Sequence, residues 1–294
     1  MVKWRGREGS KNVEDRRGAA GAAGLSGLAI LLLRFVFSRF GIGGIVILIG
    51  GFFALRAIGI DPLMLLSGQP AAGPAEVSAE DQEAFDFSSV ILAETEKTWT
   101  DKFAANGSAY EPPVLVVYSG QTQTACGFGS AAAGPFYCPG DRKVYLDTSF
   151  FTELSQRFGA PGDFAAAYVI AHEVGHHVQT LTGVADQVRQ AQSRAGSEEQ
   201  NHLQVMMELQ ADCYAGIWAN HADKYSGILD DGDIEEGLQA ATAIGDDTLQ
   251  RNAGRRVTPE SFTHGSSEQR VRWFTAGYRA GEVGACDTFN ARSL

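Results

Sequence analysis

Apolar residues along the chain fall into three patterns, and each predicts a different kind of element. Residues 41–60, GIGGIVILIGGFFALRAIGI, carry one charge in twenty positions. At about 1.5 Å per residue such a run spans roughly 30 Å, a bilayer core, and predicts one transmembrane helix. The shorter Ala- and Gly-rich run at 19–33 reads as membrane-proximal rather than as a second span. Residues 61–79 read as a flexible linker, ending in SGQPAAGPAEVSA, where apolar periodicity is lost. From residue 80 a helical spacing carries Phe87, Ile91, Trp99 and Phe103 and stops at Asn106-Gly107. Two strand-like runs follow, PVLVVYS at 113–119 and KVYLD at 143–147, separated by a Gly/Ala loop. Beyond them the spacing is helical. Asp163 is placed to cap a helix ending before Gly183 and Ser197 one running to about 222, and further helices fit 233–249 and 266–280. Few strands before many helices predict an α+β domain over 80–294, helix-dominated with a small sheet.

Charge changes sign across the apolar run. Residues 1–40 hold eight Lys/Arg against three acids, net +5, whereas residues 57–294 hold 15 bases against 32 acids, net −17. Because basic flanks stay inside, this predicts a single-pass bacterial inner-membrane protein: a basic cytoplasmic segment at 1–40, lipid contact through 41–60, and an extracytoplasmic domain. A buried core helix and a cleaved leader are the alternatives for 41–60. The overall −11 argues against nucleic-acid binding. All four cysteines fall on the predicted outer side, and no CxxC occurs. Cys126 and Cys138 bracket the Gly/Ala loop and are expected to pair, leaving Cys213 with Cys286; two buried free thiols are the alternative for the second pair.

The helix begun at Asp163 contains AYVIAHEVGHHVQTLTG. His172 and His176 stand four apart, so on a helix they share a face and can hold one ion, with Glu173 beside it. His177 is turned about 100° away and reads as a bystander. A catalytic zinc needs a third ligand and an open position. MMELQADCYAGIWAN offers Glu208 and Asp212, again four apart. Glu208 is expected to bind the metal, and Asp212 to accept the proton of a ligand imidazole and fix its tautomer. Ala211, Ala215 and Ala219 along that side would let the two helices approach closely.

These motifs, with the start MVKWRGREGSKNVEDRRG, GIDPL, GPFYCPGDRKVYLD and SFTHGSSEQRVRWFTAGY, resemble the neutral zinc metallopeptidase family of single-pass bacterial membrane proteins. They also resemble the wider gluzincin group, thermolysin-like and CAAX-processing peptidases included, in which a glutamate within ExxxD completes HExxH. The resemblance implies a zincin fold and one Zn2+ per chain on His172, His176 and Glu208, with Glu173 as general base and Asp212 behind a ligand. The expected function is a membrane-anchored zinc-dependent peptidase that hydrolyses peptide bonds of a peptide or protein substrate outside the cytoplasm through a zinc-bound water. Val144–Asp147 is the strand expected to pair with an extended peptide. His264, on a loop before a helix that Ser266 or Ser267 could cap, is expected to stabilise the oxyanion, with Tyr214 and Tyr145 as alternatives. Gly265 stands where CAAX-type gluzincins commonly have Pro. The rival readings are a zinc-clipped binding or scaffold protein of the cell envelope, and a zinc amidase acting on cell-wall peptides.

Overall fold

Ser78 accepts a hydrogen bond from the Asp81 amide and opens helix α1 (Ala79–Ala105), which ends at Asn106-Gly107, where the apolar periodicity also stops. The computed structural model describes residues 1–18, 77–130, 134–156, 159–160 and 162–294. After α1 the chain runs through β2 (Val114–Tyr118), the hairpin β3–β4 (Gln121–Thr124, Gly127–Ser130), β5 (Phe136–Cys138) and β6 (Lys143–Asp147). A further strand, β1 (Val13–Asp15), precedes them all. The main sheet has the order β1-β2-β6-β5, with β1, β2 and β6 parallel and β5 antiparallel at the edge. Alternation along β2 and β6 divides the sheet. Leu115, Val117, Val144 and Leu146 join the main core, and Val116, Tyr118 and Tyr145 form a smaller cluster on the opposite face.

The remaining helices are α2 (Phe150–Gln156), α3 (Asp163–Leu181), α4 (Val184–Gln192), α5 (Ser197–His221), α6 (Asp233–Ala243), α7 (Asp246–Asn252) and α8 (Ser267–Ala280). Ser266 caps α8 in a reciprocal capping box with Gln269. Gly162 and Gly196, not Asp163 and Ser197, occupy the cap positions of α3 and α5. The run 233–249 spans two helices, broken at Gly245, whose backbone is extended and whose missing Cβ would meet the Ser267 backbone nitrogen at 2.4 Å. Small residues set the helix crossings. A Cβ on Gly175 of α3 would come within 3.1 Å of the Ala211 backbone of α5; one on Gly216 of α5 would strike the Phe274 carbonyl, and one on Gly277 of α8 the Cys213 carbonyl. Disulfides join Cys126 to Cys138, tying the hairpin to β5, and Cys213 to Cys286, tying α5 to the C-terminal segment.

The expected transmembrane helix and single-pass topology are corrected here. Among the described residues no helix is long and apolar enough to cross a membrane; the segments 19–33 and 41–60 lie outside the described residues. Residues Met1–Arg16, expected on the far side of a bilayer from the domain, form one compact unit with Ser78–Leu294. Val13, Glu14 and Asp15 pair with Leu115, Val116 and Val117, and paired strands lie only about 4.8 Å apart. The Lys3 amide donates to the Ile228 carbonyl, and Val2 is buried. A strand cannot pair across a bilayer, so an inner-membrane protein with its N-terminus inside and its domain outside does not match this structure.

Candidate metal centre and cleft

Helix α3 presents His172 and His176 one turn apart, and the Gly175–Ala211 crossing brings Glu208 of α5 against them. Glu208 Oε2 lies 3.1 Å from His172 Nε2 and 3.5 Å from His176 Nε2. The three side chains offer one donor atom each, all within 4.8 Å of one another. Two imidazoles and a carboxylate are a donor set that suits zinc. Burial alone would favour the uncharged forms. The imidazoles nonetheless hold Glu208 well below the usual carboxylate range, and the Asp212 and Glu208 carboxylates raise His172 to about 10. A cation bound among these donors would displace the imidazole protons. A second acidic group, Asp163, Asp233 and Glu236, is partly satisfied: the Met1 ammonium lies 2.6 Å from Asp233, and the Val2 amide donates to Asp163.

Behind His172, Asp212 accepts from Nδ1 at 2.8 Å, and Arg270 of α8 grips the same carboxylate with Nε and Nη2, each at 2.9 Å. Tyr168 donates to Asp212 Oδ1 at 2.5 Å and accepts from Arg270. Burial opposes the charge on Asp212, but Arg270 and His172 keep it below its ordinary value. Arg270 and Tyr168 were not picked out from the sequence. The local signals are Tyr168 standing one turn before His172 on α3 and Arg270 one turn beyond the Ser266 cap, in the segment that also holds His264.

The three donors line a cleft of about 720 Å³ together with Glu173, Phe136, Tyr137, Met207 and His264. Glu173 is buried and outside the donor trio. Burial raises its carboxyl above the ordinary value, although the Tyr137 backbone N–H hydrogen-bonded to it works the other way. His177 is outside the donor trio, as its rotation from His176 implies, and has a structural part instead. Nε2 donates to the Glu111 carbonyl at 2.7 Å, so Nδ1 accepts from the Tyr137 hydroxyl at 3.1 Å, and the ring pins β5 beside Glu173. Val144–Asp147 of β6, the segment expected to receive a peptide, lies inside the sheet, paired with β2 throughout and with β5 at Val144 and Tyr145, and does not line the cleft; β5 is the edge strand there. Half-exposed His264 lines the same cleft, its Nδ1 3.1 Å from the Thr263 hydroxyl and 3.4 Å from Asp246. Tyr214 is packed edge-on against Trp99, and Tyr145 donates to Asp141; neither lines the cleft.

The model of the family described as "Putative neutral zinc metallopeptidase" matches residues 2–289. The chain belongs to this family. It is 47% identical over 295 residues to the uncharacterized protein YpfJ of Escherichia coli (strain K12), covering 98% of this chain and 99% of that one. It is 41% identical over 260 residues to uncharacterized proteins of Mycobacterium bovis and Mycobacterium tuberculosis (strain H37Rv), covering 81% of this chain and 85% of each. No solved structure matches. Hydrolase, metalloprotease and zinc thus attach to this chain through the description of its family.

Proposed function

We propose that the protein is a zinc-dependent peptidase in which His172, His176 and Glu208 hold one zinc ion and Glu173 is the general base. The observation that carries this reading is the convergence of three donors in a cleft, with a fourth, buried carboxyl beside them that is not one of the donors. A purely structural zinc has no use for Glu173. When bound, zinc supplies Lewis acidity, polarising the scissile carbonyl and lowering the pKa of water toward 7. Glu173, raised by burial, is suited to take a proton from the attacking water and deliver it to the leaving amine. β5 lies at the edge of the sheet and lines the cleft, so an extended polypeptide laid beside it is the substrate shape the cleft favours. Asp212 holds His172 in the tautomer whose Nε2 is free for the ion.

The test uses the full chain with unfolded protein as substrate. Zinc content should be one per chain, chelation should abolish cleavage, and added zinc should restore it. Cleavage that survives complete removal of metal, or none by the loaded protein against a broad set of unfolded proteins, would refute the reading.

His264 is proposed as the donor to the oxyanion. Asp246 beside Nδ1 outweighs the effect of burial and raises the imidazole pKa, so the cationic donor persists above the ordinary histidine range. His264→Ala should keep zinc and lower kcat by about 10²- to 10³-fold. With His264 present, activity is lost as pH rises through its raised pKa, on the alkaline side of the range in which Glu173 is ionised. The variant's pH profile should lack that alkaline loss, and an unchanged turnover would remove the role.

A further inference from the structure

Two glutamines stand behind His176, where His172 has a carboxylate. Gln179, one turn along α3 and fully buried, lies with Oε1 2.8 Å from His176 Nδ1. Its Nε2 donates to the Met207 carbonyl at 2.7 Å and to Gln210 Oε1 at 3.1 Å. Gln210, also buried, donates from Nε2 to the Cys286 carbonyl at 3.0 Å. Cys286 is held to α5 by its disulfide with Cys213, and Thr288 donates to the Met206 carbonyl.

The polarity of this chain of bonds follows from its ends. Carbonyl oxygens only accept, so the Cys286 carbonyl obliges Gln210 to turn its NH2 outward and its oxygen toward Gln179. That oxygen and the Met207 carbonyl both need donors, which takes the NH2 of Gln179 and leaves its oxygen facing His176. An accepting oxygen there requires a proton on His176 Nδ1, and Nε2 is left with the lone pair that points toward Glu208. Met207 immediately precedes Glu208, so the same amide also fixes the α5 backbone next to the third donor.

The geometry points to Gln179 as a positioning residue for the metal, with Gln210 and the Cys286 carbonyl dictating its orientation and, through it, the tautomer of His176. This deepens the proposed zinc reading and rests on it. The relay is electrically neutral, whereas Asp212 and Arg270 serve His172 with charges.

The test is a double-mutant cycle read as zinc affinity, by competition with a chelator on the full chain. Gln179→Leu should weaken zinc binding about 10- to 100-fold. Gln210→Leu should weaken it less, and the double variant no further than Gln179→Leu alone, because both changes break one relay. In the zinc-loaded wild type, 1H–15N spectra of the histidine rings should show a slowly exchanging Nδ1 proton on His176, lost in Gln179→Leu while that of His172 remains. Wild-type affinity in Gln179→Leu, or independent losses that multiply in the double variant, would overturn the inference. Should Gln179→Leu not fold, Gln210→Leu decides alone: unchanged affinity together with an unchanged His176 proton overturns it. A wild-type chain that takes up no zinc would overturn the proposed function as well, whereas the variant results bear on the relay alone.

Discussion

Glu173→Gln should retain one zinc per chain and lose about 10²- to 10⁴-fold in kcat, the range that general-base catalysis supplies. The substitution is close in shape to the native side chain. The amide oxygen can still accept from the Tyr137 backbone N–H, so the strand β5 keeps its place against α3. What disappears is the capacity to take a proton. None of the three converging donors is touched, so metal content should not change. Elemental analysis gives the zinc, circular dichroism the fold, and steady-state cleavage of an unfolded protein the rate. Loss of zinc in this variant would make Glu173 a ligand; retained turnover would place the base elsewhere.

Arg270→Met should destabilise the metal-free protein by on the order of 3–5 kcal/mol, the cost of removing one partner of a buried ion pair. Arg270 is 3% exposed and Asp212 is fully buried, and the pair is bidentate. Without the guanidinium, Asp212 keeps Tyr168 and His172 as partners but loses the cation that offsets its burial. Urea unfolding measures the loss. Arg272→Met, two residues on and exposed, is the control and should stay within about 0.5 kcal/mol of wild type. A wild-type midpoint for Arg270→Met would mean that Asp212 needs no counter-charge. The zinc affinity of the variant should fall as well, because the carboxylate that orients His172 is then free to turn.

The reading of the N-terminal segment shows where charge patterning misleads. Eight bases before an apolar run have the form of a cytoplasmic flank. In the structure several of them have acidic partners on the domain: Arg5 pairs with Glu83, Arg7 with Glu94 and Lys3 with Asp230. The excess of bases in one part and of acids in the other is complementary within a single compact unit. A net charge per segment cannot distinguish attraction to a neighbouring segment from retention on one side of a bilayer.

The sequence by itself determined the features that depend on residues close together in the chain. A period of 3.6 places His172 with His176, and Glu208 with Asp212, on shared faces, and the same periodicity ended α1 at Asn106-Gly107. The serines at 266 and 267 mark the start of α8 in the sequence, and the capping box with Gln269 picks out Ser266. Tertiary structure decided which side chains stand behind those faces and which strand is left open. Arg270 reaches Asp212 across 58 residues because Gly216 and Gly277 let α8 lie on the α5 backbone. Gln179 and Gln210 meet only because Gly175 and Ala211 let α3 and α5 touch. β6, apolar and regular, reads as an available strand, yet β2 covers one edge and β5 the first three residues of the other, and the three-residue β5 is too short to give a period. Local geometry fixes the direction of a side chain relative to its own helix or strand; the chain's long-range return fixes what that side chain meets.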